Sequence, residues 1–152
     1  MIFNSVEEIL DYAIAREQEA ADFYSGLAGT ADKQYMREVF EQFSREEMGH
    51  RKRIESVKAG KRLAASEKKI LDLKIGDYLE PVDTASGKNL SYQEALVVAM
   101  KREKESFRLY TDLADSARDE NVQSLFLSLA QEEAKHKLRF ELEYDENILK
   151  EN

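Results

Sequence analysis

An internal repeat constrains this chain more than any other feature of its sequence. Residues 5–59 resemble residues 91–145 at a constant offset of 86, without a gap. Self-similarity over that length marks one supersecondary unit used twice, so the architecture follows from the unit. Ser5 corresponds to Ser91 and Glu8 to Glu94, and each copy therefore opens with Ser-x-x-Glu, a capping box that starts a helix. Further along, Ala13 corresponds to Ala99, Glu17 to Glu103, Tyr24 to Tyr110, Phe40 to Phe126, Glu47 to Glu133, His50 to His136 and Arg53 to Arg139.

Each copy reads as two helices. The first runs from about Ser5 to Ala28 and stops near Gly29; the second starts near Asp32 and ends before Gly60. In the second copy one helix starts at Ser91 and fades near Arg118, and the other runs from about Glu120 to Leu149. A single proline, Pro81, and six glycines leave long stretches free of helix breakers. The turns within each copy are short, so partner helices run antiparallel. Residues 60–90 connect the copies and hold Pro81, Gly76 and Gly87, with Glu67 to Leu73 reading as a short helix on the way. A helix of ~25 residues is ~37 Å long, and a connection of about thirty residues spans that length. The expected fold is all-α: a four-helix bundle of two repeated antiparallel hairpins, 5–59 and 91–149, joined by a long crossover over 60–90, in one domain covering 1–152.

Apolar residues at 3–4 spacing define an inward stripe on each helix. The four stripes are Val6, Leu10, Ala13, Glu17, Ala20, Tyr24, Leu27; Met36, Phe40, Phe43, Glu47, His50, Ile54, Val57; Leu96, Ala99, Glu103, Ser106, Tyr110, Leu113; and Val122, Phe126, Leu129, Glu133, His136, Phe140. A glutamate interrupts each one near its middle. The only two histidines in the chain follow two of these glutamates by three residues.

A buried carboxylate without compensation costs several kcal/mol. Four of them carry −4, which two divalent cations balance. Glu-x-x-His places an oxygen and a nitrogen ligand side by side on one helix face. One glutamate from each of two helices, with Glu-x-x-His from each of the other two, is the ligand pattern of di-iron and di-manganese carboxylate bundles. The candidate metal ligands are Glu17, Glu47, His50, Glu103, Glu133 and His136. Side chains lean toward their helix N-terminus, so Glu17 and Glu47 converge at one level about the turn at Thr30, and Glu103 and Glu133 about Ser116. Oxygen-rich surroundings suit iron or manganese better than zinc. The bland alternative is a buried glutamate–histidine network without metal. Glu19, Glu46, Glu105 and Glu132 read as solvated neighbours. Tyr24 and Tyr110, two turns beyond a ligand glutamate, read either as core aromatics or as donors to the ligand carboxylates.

The absence of cysteine excludes disulfides, thiolate zinc sites and a rubredoxin-type iron centre. A net charge of −8 argues against nucleic acid as a partner. The longest apolar run, Ala95 to Met100, is too short to cross a membrane, and the opening residues lack the pattern of a signal peptide. A cytoplasmic location is expected.

The motifs Glu17-Gln-Glu-Ala-Ala-Asp-Phe-Tyr24, Glu47-Met-Gly-His50, Glu103-Lys-Glu-Ser-Phe-Arg-Leu-Tyr110 and Glu133-Ala-Lys-His136 resemble the rubrerythrin branch of the ferritin-like superfamily. The resemblance covers nearly the whole chain apart from the connection. It implies a non-haem centre of two iron ions that reduces peroxide or dioxygen in the response to oxidative stress, in a homodimer or larger homo-oligomer. An iron-binding or ferroxidase module without sustained turnover is the alternative. Two departures stand out. Typical rubrerythrins carry a rubredoxin domain; this chain has no cysteine for one, so its electrons are expected from a separate donor protein. They also carry a glutamate three residues after the third-helix ligand, where this chain has Ser106.

Overall fold

The structure, a computed structural model, describes residues 5–60 and 90–149. Four helices of 25 residues each make up almost all of it: α1 (Val6–Thr30), α2 (Gln34–Lys58), α3 (Tyr92–Ser116) and α4 (Glu120–Tyr144). Their bounds recur at the offset of the sequence repeat. No strand occurs among the described residues. The helices form two compact units, a first hairpin of α1 and α2 and a second of α3 and α4. The connecting stretch, including the short helix read at Glu67 to Leu73, falls outside the described residues.

Local chemistry sets the helix ends. The Ser5 hydroxyl accepts from the Glu8 N–H at 3.2 Å. At Ser91 the full capping box is made, with Glu94 N–H donating to Ser91 Oγ at 3.1 Å and Ser91 N–H donating to Glu94 Oε1 at 3.1 Å. Asp119 caps α4 by accepting from the N–H groups of Asn121 and Val122. Its counterpart in the first hairpin is Lys33, which makes no side-chain cap bond. α2 begins at Gln34, close to the start expected near Asp32 and at the place in the repeat where α4 begins at Glu120. Gly60 follows the end of α2 with φ of 92°, the left-handed conformation that suits glycine, and donates its N–H to Val57 O at 2.9 Å. The expected stop near Gly29 is passed: α1 runs to Thr30 and ends as Ala31 turns extended.

The fourth helix also departs from expectation. It is α-helical only to Tyr144 and continues as a π-helical turn, Asp145–Leu149. The Asn147 side chain donates to Glu143 O at 3.0 Å, taking the carbonyl that a regular α-helix would offer to the Asn147 N–H.

Cross-helix contacts show the antiparallel order, with numbers falling along one helix as they rise along its partner. In the first hairpin Ser44 Oγ donates to Ala21 O at 2.8 Å, Arg51 donates to the Gln18 carboxamide, and Lys58 Nζ meets Asp11 at 2.5 Å. That carboxylate holds the exposed Lys58 ammonium above its ordinary pKa of 10.5. In the second, Tyr92 Oη donates to Glu143 at 2.9 Å, Gln93 to Tyr144 Oη at 3.2 Å, and Gln123 to Ala114 O at 3.3 Å.

Most of the expected stripe is buried, and it is wider than expected. Ala21, Val39, Val97, Met100, Leu125 and Tyr144 join it. Val6 is exposed, and Ala20, Met36 and Ser106 are half-buried. Val6 is the first residue of α1, where the helix end is open to water. Tyr24 stacks on Phe40 with centroids 6.4 Å apart, and Tyr110 stacks on Phe126 at 5.8 Å, so the repeat extends to ring packing. Among the described residues no helix is long and apolar enough to cross a membrane.

Candidate metal centre

Each hairpin buries two glutamates and a histidine at mid-length. In the first, Glu17 comes from α1, and Glu47 and His50 come from successive turns of α2. All three are nearly inaccessible, at 2%, 1% and 3% exposure. His50 Nδ1 lies 3.5 Å from Glu17 Oε2 and 3.5 Å from Glu47 Oε1. In the second hairpin, Glu103 on α3 and Glu133 and His136 on α4 are buried likewise. His136 Nδ1 lies 3.5 Å from Glu103 Oε1 and 3.8 Å from Glu133 Oε1. In either triad, one ligand-type atom per residue lies within 4.8 Å of the others.

These distances suit a shared cation. At 3.5–3.8 Å the contacts are too long for good N–H···O bonds. They approach the spacing of about 3 Å between adjacent ligands of an octahedral ion bound at ~2.1 Å. Two carboxylates and one neutral imidazole also balance one divalent cation. The oxygen-rich donor set without sulfur suits iron or manganese. Nδ1 is the nitrogen that lies near the carboxylates in both triads.

The structure separates the six proposed ligands from their neighbours. Glu19, Glu46 and Glu105 are exposed and Glu132 is half-buried; Glu19 accepts from Arg16 at 3.3 Å and Glu132 lies 4.0 Å from Lys135. Tyr24 and Tyr110 are buried in the aromatic stacks already described.

Residues around the triads that sequence reasoning passed over also matter. Ser44, Gln18 and Arg51 tie α1 to α2 beside the first triad. Lys137 and Glu141 form a buried pair at 3.7 Å on α4, whereas their counterparts, Arg51 and Glu55, pair at 2.6 Å on a partly exposed face. The i, i+4 spacing of Lys137 and Glu141 was readable as an ion pair. Its burial was not, because alternation along one helix does not reveal what covers a flank.

The family model described as Rubrerythrin matches residues 8–144. Among solved structures, the chain is similar to an uncharacterized conserved protein from Magnetospirillum magnetotacticum MS-1. The two share 23% identity, the match covers 93% of this chain and 95% of the other, and the TM-score is 0.71. At that identity the likeness speaks for the fold alone, which is of the all-α, ferritin-like class expected from the repeat. No curated protein matches the chain.

Proposed function

We propose, from the premise that the chain belongs to the rubrerythrin family, that it is a non-haem di-iron oxidoreductase. It would reduce peroxide or dioxygen with electrons from a separate donor protein, each triad holding one ion. The observation that carries this reading is the buried pair of glutamates with a histidine Nδ1 between them, present in both hairpins. Family membership supports iron as the metal.

Bound there, iron supplies one-electron redox chemistry, one electron from each ferrous ion. Reduction of peroxide to two waters consumes two electrons and two protons. Glu17, Glu47, Glu103 and Glu133 supply the negative charge that holds the cations, and His50 and His136 complete the ligand sets as neutral imidazoles. Phe40, Phe43, Phe126 and Phe140, all fully buried, limit access of water to this level of each hairpin. The Tyr24 and Tyr110 hydroxyls are proposed to orient the ligand carboxylates.

Ser106 favours the second reading, an iron-binding or ferroxidase module without sustained turnover. This half-buried residue lies one turn after Glu103, where similar proteins carry a further carboxylate. Protein loaded with ferrous ion and given peroxide and a reductant separates the two. Continuous peroxide loss supports the oxidoreductase; a single oxidation followed by iron release supports the module. Ser106→Glu is expected to raise peroxide turnover over wild type at equal iron loading. A variant no faster than an already rapid wild type shows that this carboxylate is not needed.

A further inference from the structure

One outer face of α4 is apolar. Leu127, Gln131, Ala134, Leu138 and Leu142 follow one another at spacings of three or four, so they form a single line along the helix. At 100° per residue, this line lies on the far side of α4 from the buried Leu129, Glu133 and Phe140. Leu127 and Leu142 are 38% and 43% exposed, and Gln131, Ala134 and Leu138 are half-buried. The repeat shows that a hairpin of this kind folds without such a line. In α2 the same places hold Glu41, Arg45, Met48, Lys52 and Ser56, of which Glu41, Arg45 and Lys52 are exposed. The three leucines of α4 are therefore extra to the hairpin, and an aligned apolar face of this length suits a partner helix.

The order of residues along the line selects the partner. Leu127 and Leu142 are equidistant from the midpoint between Ala134 and Lys135, and so are Gln131 and Leu138. When α4 is laid antiparallel on α4 of a second copy about that midpoint, Leu127 meets Leu142 and Leu138 meets the stem of Gln131. Ala134, the smallest residue of the line, comes next to the axis, where the two helices approach most closely. A two-fold interface requires self-complementarity of this kind.

The charges beside the line fit the same register independently. Glu132, Lys135 and Arg139 share one flank, and the Glu132 and Lys135 side chains are 30% and 57% exposed. In the antiparallel pair this flank meets itself. Glu132 comes level with the point midway between Lys135 and Arg139 of the second copy, about 3 Å along the axis from each. One acidic group then faces two basic groups, twice over, and such complementarity fixes register.

We infer that the outer face of α4 is a docking surface for a second copy of this chain, paired antiparallel about a two-fold axis beside Ala134. The contact runs ~22 Å along one helix of each copy. A single helix is narrower than a standard interface of about 800 Å² a side, so the dimer dissociates on dilution. The face and register are properties of this chain, and the inference does not depend on the metal-binding reading.

Sedimentation velocity of the full-length protein, from micromolar to near-millimolar concentration, tests it. Wild type is expected to pass from monomer to dimer over that range. Leu127→Glu combined with Leu142→Glu, both at exposed positions, should keep the helical circular dichroism and its melting temperature. Its pairing should weaken at least about a hundredfold, because a symmetric dimer would then bury four unpaired carboxylates. Glu41→Lys combined with Lys52→Glu, on the corresponding face of α2, should leave dimerisation unchanged. The chain has no cysteine, so single cysteines report the register. Ala134→Cys should give a disulfide-linked dimer on mild oxidation, since its two thiols meet near the axis. Leu127→Cys should not, since its two copies lie ~22 Å apart. A wild type that stays monomeric throughout overturns the inference, as does a dimer that survives the double glutamate variant. Disulfide formation by Leu127→Cys as readily as by Ala134→Cys overturns the antiparallel register, whether or not the glutamate variant folds.

Discussion

Glu47 and Glu133 sit at 1% and 0% exposure on helix faces otherwise lined with phenylalanine, leucine and isoleucine. Their replacement is expected to act on metal content before anything else. Glu47→Ala and Glu133→Ala should each lose about one metal ion per chain, read by elemental analysis after reconstitution. Glu19→Ala, at a position whose side chain is 58% exposed, should keep both. Equal loss from Glu19→Ala would show that the ligand register is misplaced. At this scale the burial of these glutamates and histidines was legible in advance, because a charged residue in an apolar stripe is a local anomaly with a known energetic cost. Ser44, Gln18 and Arg51 were not legible. Nothing in the sequence marks them, and whether Ser44 Oγ reaches a carbonyl on the facing helix depends on how closely the two helices approach.

The helices repeat in length and bounds, yet their caps do not, and this difference has a measurable consequence. Asp119 accepts two N–H groups at the start of α4 at 2.8 and 3.1 Å, while Lys33 at the same place before α2 makes no side-chain cap bond. Lys33 also places positive charge at the positive end of the helix dipole. Lys33→Asp is expected to stabilise the protein by about 1 kcal/mol and Asp119→Ala to destabilise it by about 1 kcal/mol. Both should shift the urea midpoint without altering the slope of the transition. No gain from Lys33→Asp would mean that the turn backbone cannot present a cap there. Helix existence was legible from periodicity. Helix ends were less so: the apolar pattern runs on past Tyr144, but Asn147 diverts the Glu143 carbonyl and the chain continues as a π-helical turn.

For the whole molecule, the proposed metal binding predicts coupling to folding, since the triads bury acidic groups that a cation would compensate. At a metal concentration a hundredfold above Kd, each site is expected to add about 2.7 kcal/mol, or roughly 5–10 °C in melting temperature. Ferrous or manganous ion should produce this shift at neutral pH. The shift should shrink as pH falls below ~6.5, where free imidazole takes up a proton and competes with the ion. Scanning calorimetry with and without metal at both pH values checks this; an unchanged midpoint at saturating metal at neutral pH would count against buried sites. The sequence by itself determined the duplicated helical hairpin, the stripe that faces inward and the six residues able to hold metal. Those follow from helical period, side-chain chemistry and a constant offset, all of which are properties of the chain. Only the tertiary structure decided that Lys137 and Glu141 are buried while Arg51 and Glu55 are partly exposed. It also decided that the Ala21 carbonyl is used across the hairpin and the Phe107 carbonyl within its own helix. Such choices depend on what covers a flank and how closely helices approach, and residues with the same place in the repeat can answer them differently.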